Sequence, residues 1–559
     1  MNKLIATLIG YALLFLLADI ARAGSATWKR NARSGDWNTK NNWTPAHVPD
    51  GSADTATFAL SNTTDASISA NTEVNGITFT AAATNPYKIT AQPGSTLTIS
   101  VAGITNNSGA TQSFVTAVNG AGNFGQIFFT NSATAGTSII FTNFGGTSFF
   151  NTSTAANGSF VNKGGTPSSS AGGTAFHDSS TAGNANFTNS AGTGTGTSAT
   201  SFLDNSTAAN GNFTNDGGGS VTGGAFKEGG QTLFSGTSTA ANGTFVNNGA
   251  TAGGGFGGAT VFDDSSTAGN GIFTNNGGAA SGVAALGGGA TFFFGTSTAA
   301  NGTFINNAAP ASDAEGGVTE FGLPFFNFSP SAGSGTFITN GATISGAVGG
   351  KTLFNNASTA DTATLIANGG INGGGGGGIF FEEQSTGGTA RIEVFGNGFL
   401  DISGHLAPSP PLLKPSRVTV GSIEGDGNVF LGRNNLTVGS NNLSTIFSGV
   451  IQDDGAASSL TKIGSGTLTL SGTNTYTGAT IIKGGVLQVD GSITSNTFVG
   501  PSGRNRSATL AGTGTIHGSV TNNGTVSPVS PGDAPDILTV ASEQWHSSDR
   551  HCRPEHRPI

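Results

Sequence analysis

The chain has 559 residues, of which only 9% are charged, against roughly a quarter in ordinary globular proteins, and Gly supplies 92 while Pro supplies 18. Neither a collagen-like nor a Pro-rich composition fits. With 35% apolar residues, 39 Phe and a net charge of -9, the chain is too apolar for a disordered segment and too acidic to hold nucleic acid. Cys552 is the sole cysteine, which excludes an internal disulfide and a cysteine-built zinc site.

At the N-terminus, Lys3 precedes an apolar run from Leu4 to Ala18, and Ala21-Arg22-Ala23 follows. The run is shorter than the roughly 20 residues that span a bilayer, and small residues at the first and third positions suit a signal peptidase. A helical signal segment over 1–23 is expected, cut between Ala23 and Gly24, with Ala21 and Ala23 as the recognised small residues.

A Trp-rich stretch with alternating residues over 24–120 reads as strands and turns. Residues 121–400 then repeat a unit of the form Gly-Gly-x-Thr-apolar-Phe, a polar link, Ser-Thr-Ala-Ala-Asn-Gly-x-Phe and Asn-Asn-Gly. From Thr154 to Thr386 the corner residue recurs at a mean of 29 residues, with Ser331 standing for Thr once. Paired apolar positions run from Phe150/Phe160 through Phe176/Phe187, Phe294/Phe304 and Phe328/Phe337 to Phe381/Ile392. A unit of two or three short strands cannot bury its own apolar face, so neighbours must stack. Successive turns of a parallel β-helix lie about 4.8 Å apart, which would line up equivalent Phe side chains inside. Asn-Gly is expected at the corners, where positive φ is needed. The repeat is shorter than a propeller blade and has no Gly-Gly-x-Gly-x-Asp calcium pattern.

A Pro-containing link, 401–416, leads to a third region, 417–540. Its core is Leu460-Thr461-Lys462-Ile463-Gly464-Ser465-Gly466-Thr467-Leu468-Thr469-Leu470, then Asn474-Thr475-Tyr476-Thr477-Gly478 and Gly484-Gly485-Val486-Leu487-Gln488-Val489. This stretch resembles the autotransporter-associated β-strand repeat, and the opening Ser34-Gly35-Asp36-Trp37 with Asn42-Trp43-Thr44-Pro45 is similar to the start of such passengers. The resemblance implies an all-β, right-handed parallel β-helix solenoid of the pectin-lyase-like kind. It further implies an exported type V secretion passenger, and no residue of the repeat is catalytic in that family. Export machinery is the implied partner, with outer membrane components, surface glycans or host and matrix surfaces as contacts.

Chemical motifs are few. Gly346 to Thr352 imitates the end of a phosphate loop but lacks its first Gly, and neither a Gly-x-Ser-x-Gly elbow nor His-Glu-x-x-His occurs. Asp178, Asp204 and Asp264 share a slot two residues after a repeat Phe. On adjacent rungs they would lie about 5 Å apart, close to a retaining glycosidase pair. Thr152 and Gly236 in the same slot favour a solvated turn. Glu382-Glu383 and Asp453-Asp454 would point to opposite faces if they lay on strands. His546, His551, Cys552 and His556 match no zinc spacing. The expectation is a noncatalytic adhesive or structural passenger without cofactor or metal. The alternative is an extracellular polysaccharide lyase or glycoside hydrolase. Residues 541–559 break the composition and read as an atypical tail, a frameshift product or a gene-model end. No membrane barrel pattern follows Val540, so this chain alone is not expected to anchor itself in the outer membrane.

Overall fold

The computed structural model describes residues 24–166, 169–194, 196–219, 228–279, 287–324, 328–406, 416–500, 508–528 and 537–541, with the backbone of Trp545–Ser547. The expected signal helix, with Ala21 and Ala23, lies outside these residues. So do His551, Cys552 and His556. Apart from one 3-10 turn, Lys40–Asn42, every regular element described is a β-strand. The chain divides into two compact units, 24–187 with 205–211, and 188–204 with 212–559.

The first unit opens with Ala26–Trp28, which pairs antiparallel with Trp43–Thr44 and parallel with Gly51–Phe58. Trp28, Trp37 and Trp43 are at most 1% exposed, and Trp43 meets the rings of the other two at 4.9 Å. Phe58 joins them and passes the contact to Phe79 at 5.2 Å. The three indole N–H groups donate to the carbonyls of Thr63, Pro49 and Trp37. Solenoid ends need a cap, because the terminal rung would otherwise expose its apolar interior. The Trp cluster is that cap.

Beyond it the chain winds as a parallel β-helix. One line of parallel strands runs Gly51–Phe58, Thr72–Phe79, Thr96–Asn106, Gln126–Phe129, Gly146–Phe149 and Gly173–Phe176, with a register shift in each of the first two pairings and none in the others. A second runs Asp65–Ile68, Lys88–Ala91, Gln112–Thr116, Thr137–Asn143 and Asn157–Asn162. Between the two lines, single-residue bridges join Thr134, Thr154, Thr181 and Thr207.

The second unit repeats the plan. Gln231–Phe234, Ala259–Phe262, Ala290–Phe293, Val318–Phe321, Lys351–Phe354 and Gly378–Phe381 pair parallel in sequence order. Opposite them run Thr244–Asn247, Ile272–Asn275, Thr303–Asn306, Thr336–Thr339, Thr364–Ala367 and Arg391–Val394. Thr239, Thr267, Thr298, Ser331, Thr359 and Thr386 bridge in turn. From Arg417–Val420 onward this third face carries strands of three or four residues, through Asn435–Val438, Leu460–Lys462 and Thr480–Ile482 to Val520–Asn522. The backbone of Trp545–Ser547 then pairs with Val520–Asn522, so the compositionally odd tail begins by continuing a sheet.

The alternation Thr-x-Phe and Phe-x-Asn decides what faces inward. Each member of both pairs is buried, as in Gln231–Phe234 and Thr244–Asn247. Phe234, Phe262, Phe293, Phe321, Phe354 and Phe381 form one ladder with neighbouring centroids 4.6 to 4.9 Å apart and planes within 9°. Phe213, Phe245, Phe273, Phe304 and Phe337 form the other. The two ladders meet edge to face, as Phe262 and Phe273 do at 5.6 Å and 76°. Aromatic pairs of these geometries contribute about 0.5–1.5 kcal/mol beyond area burial.

The expected pairs need three corrections. Phe149, Phe293 and Phe321 are the buried ladder members, whereas Phe150, Phe294 and Phe328 are only half-buried. In each case the residue two beyond the inward Thr147, Thr291 or Thr319 takes the core position, and the Phe further along the chain does not.

The first Asn of Asn-Asn-Gly is not a corner residue but lies inside. Asn189, Asn215, Asn247, Asn275 and Asn306 are fully buried. Each of the first four donates from Nδ2 to Oδ1 of the next, at 2.7 to 2.8 Å. Thr200, Thr232, Thr260, Thr291 and Thr319 donate to the same five Oδ1 atoms in order, at 2.9 to 3.0 Å. The repeat glycines have a matching reason: a Cβ on Gly289 or Gly317 would lie 1.9 or 2.0 Å from the carbonyl oxygen of Asn247 or Asn275.

Candidate functional site

With the core occupied by ladders, chemistry is left to corners and outward strand positions. Two residues beyond the Phe of the first ladder the φ is positive at Asn151 and Asp178 in the first unit and at Asp204, Gly236, Asp264 and Gly295 in the second, whereas after Phe321 it is Gly322 that turns. Asp and Asn tolerate this conformation and can bond local backbone. Asp178 Oδ2 accepts the backbone N–H of Asn151 at 2.8 Å, and Asp264 Oδ2 accepts that of Gly236 at 2.9 Å. The carboxylate thus clasps the turn of the preceding rung. Asp178 belongs to the first unit and Asp204 to the second, where the Asp204 carbonyl accepts the Thr237 N–H at 2.9 Å.

A second positive φ falls in the Ala-Ala-Asn-Gly corner, and it falls on the second Ala: Ala156, Ala209, Ala241 and Ala300. The Thr two residues earlier accepts that Ala's N–H at 3.0 or 3.1 Å, which holds the turn without glycine. The corner Asn is then free to reach its equivalent one rung away. Asn184 with Asn157 and Asn210 with Asn184 do so in the first unit, and Asn270 with Asn242 and Asn301 with Asn270 in the second. These exposed amides form a regular outer row. On the first unit Phe150 also stacks on His177, with centroids 4.7 Å apart, and meets Phe128 edge to face at 5.5 Å.

The acidic feature with the most perturbed titration was not anticipated. Glu320 stands in the middle of Val-Thr-Glu-Phe, where other rungs carry Val261, Phe292 or Leu353. Burial, with the Glu382 charge adding to it, pushes its carboxyl up to about 7 despite a 2.7 Å hydrogen bond from Asn355 Nδ2. Glu382 is also raised, by burial and then by Asp401 and Glu383. A charge in the middle of a Thr-x-Phe triplet is the signal that could have found it. Glu382 and Glu383 follow the strand rather than lying on it, and Glu383 has φ 51°, so strand alternation does not apply there. A carboxyl titrating near neutrality beside a second carboxyl can give or take a proton. Among the described residues no group of three or more His, Cys, Asp or Glu is arranged to hold a metal ion.

The remaining motif residues serve the fold. Lys351 pairs with Glu315 at 2.8 Å, so the imitation phosphate loop is a strand start. Burial raises Asp453, but hydrogen bonds from Thr477, Gly455 and Ser458 outweigh it and hold the carboxyl below its ordinary range. In the third region Tyr476 is fully buried, with its hydroxyl 2.6 Å from Thr480 Oγ1. Asn474 Oδ1 accepts the Ile451 N–H at 3.0 Å. Lys462, 1% exposed, donates to the carbonyls of Ile463 at 2.7 Å and Gly484 at 3.3 Å, and burial lowers its ammonium to about 8.

These inward residues belong to a stretch that known proteins share. Residues 460–489 match the family model of the passenger-associated transport repeat. The chain is 53% identical over 57 residues to an extracellular serine protease of Serratia marcescens, which covers 10% of this chain and 5% of that protein. It is 38% identical over 110 residues to the adhesin BmaC autotransporter of Brucella suis biovar 1, covering 19% and 3%. The chain thus spans only a small part of the length of these relatives. No solved structure matches. Between the Leu460–Lys462 strand and the end of the Gly485–Val489 strand, the chain carries the passenger repeat of autotransporters, built into a β-helix of its own.

Proposed function

We propose that the chain is the exported, surface-displayed or released passenger portion of an autotransporter-like protein, noncatalytic, whose outer rows contact surface glycans or host and matrix surfaces. The passenger repeat supports passage through secretion machinery and location at or beyond the cell surface. The observation that carries the noncatalytic reading is the clasp of Asp178 and Asp264 on backbone N–H groups, which commits the repeat carboxylates to holding turns. The outer Asn row offers evenly repeated donors and acceptors, a pattern suited to a repetitive polymer. Binding of the purified chain to immobilised glycans, matrix proteins and cells tests the adhesive role, and absence of binding to all three would refute it.

The second reading, a polysaccharide-active enzyme, is favoured by Glu320 and Glu382 alone. Incubation with pectins and other acidic glycans decides it. Cleavage that Glu320→Gln or Glu382→Gln abolishes would establish the enzyme, as would cleavage lost in Asp178→Asn or Asp204→Asn.

A further inference from the structure

Gly24, two residues before the strand Ala26–Trp28, is buried. Its N–H donates to Asp54 Oδ1, and the His47 imidazole lies so close that a Cβ on residue 24 would sit 1.7 Å from Nε2. Any residue other than glycine would have to displace that ring. Asp54 is 2% exposed, and its other oxygen accepts the backbone N–H of Asp50 at 3.1 Å. Both donors are neutral, and among the described residues no Lys, Arg or His forms an ion pair with Asp54. Buried carboxylates are ordinarily paired with a cation, so this one calls for one.

We propose that the Gly24 α-ammonium, freed when the leader is removed, docks on the buried Asp54 carboxylate and locks the cap of the β-helix. The proposal rests on cleavage after Ala23. Hydrolysis of the Ala23–Gly24 bond by signal peptidase consumes one water. It leaves a carboxylate on Ala23 and an amine on Gly24 that takes up a proton at neutral pH. The new charge then arises on the atom already aimed at Asp54 Oδ1. Asp54 and His47 lie against Gly24, and both line one hollow with a further acid, Asp50, and a further base, Lys40. Ala21 and Ala23 meet the peptidase's demand for small residues before the cut, and Gly24 meets the separate demand for a close fit under His47. Processing and capping are thereby one event: a chain that keeps its leader has no α-ammonium at this position.

Two measurements test this separately. Mass spectrometry of the exported chain reads its first residue: Gly24 is expected, and any other start overturns the proposal at its premise. Independently, the chain from Gly24 onward is released from a fusion whose protease leaves Gly24 first, and its α-amine is acylated across pH with an amine-reactive ester. The α-amine is expected to titrate about one unit above its ordinary range, reacting about tenfold more slowly at pH 7.5 than in Asp54→Asn or in the denatured wild-type chain. A chain retaining Ala23 is expected to lose this protection and to melt at a lower temperature. Equal reactivity of the folded wild-type amine and the denatured reference overturns the docking, whether or not Asp54→Asn folds.

Discussion

Asn215 and Asn247 face each other in the interior of the second unit, with Nδ2 of the first 2.7 Å from Oδ1 of the second and both side chains fully buried. Asn247 in turn donates to Asn275 and to the Ala290 carbonyl, and its Oδ1 also accepts from Thr260. Replacing it leaves donors and acceptors without water or partner. Asn247→Ala is expected to lower the unfolding free energy by about 3 kcal/mol, more than the sum a surface Asn would give. Urea denaturation checks it, and a loss below about 0.5 kcal/mol would show that the ladder is ornamental.

The alanines at positive φ carry a cost that glycine would not. Left-handed backbone costs a non-glycine residue about 1–2 kcal/mol, whereas glycine loses about 0.5–1 kcal/mol in unfolded-chain entropy. Ala241→Gly with Ala300→Gly should therefore raise stability by about 1 kcal/mol together. Gly269→Ala, at the equivalent corner with φ 59°, should lower it by about half as much. Melting temperatures of the variants read both signs.

Glu320 makes the second unit more stable in acid. Its carboxyl titrates at about 7 in the folded chain against 4.5 ordinarily, so the folded state holds the extra proton between those values. Its contribution is fully present below pH 4.5 and is lost as pH rises through 7. Glu320→Gln, which can still accept from Asn355, should gain on the order of 2 kcal/mol over wild type at pH 8 and nothing at pH 4. Equal gains at both pH values would remove the titration argument.

Lys462 has the opposite sense. Its ammonium titrates at about 8 in the folded chain against 10.5 ordinarily, so the unfolded state binds more protons in that interval. Stability should therefore rise with pH from 8 toward 10.5. The slope of unfolding free energy against pH should flatten in Lys462→Met. An unchanged slope would assign the dependence to another group.

Much of the architecture can be read from the sequence, because a parallel β-helix repeats its contacts at the period of its letters. The aligned Thr154, Thr181 and Thr207, and Thr239 through Thr386, are the residues that bridge successive rungs. Three things were hidden. In a Phe-Phe pair, spacing does not say which ring faces inward, and only the buried Thr two residues earlier fixes the parity of Phe149 and Phe293. A stretch such as Asn-Asn-Gly ordinarily reads as a turn throughout, so a column of buried amides at its first position was masked by a local preference that the stacked geometry overrides. Glu320 escaped notice because single acids seldom stand out in a repeat read for what recurs.

The ladders make rungs interchangeable. Phe245 meets Phe273 as Phe273 meets Phe304, and the same amide and hydroxyl contacts recur at each step. Excision of one whole period, such as the stretch from Thr239 up to Thr267, would bring together surfaces that already fit. Duplication would do the same in reverse. The number of turns in the second unit is therefore open to change by unequal recombination, with each event adding or removing about 4.8 Å of stacked height and no new interface. Such a gene carries an adjustable ruler, on which selection can set how far the outer row extends without redesigning the core.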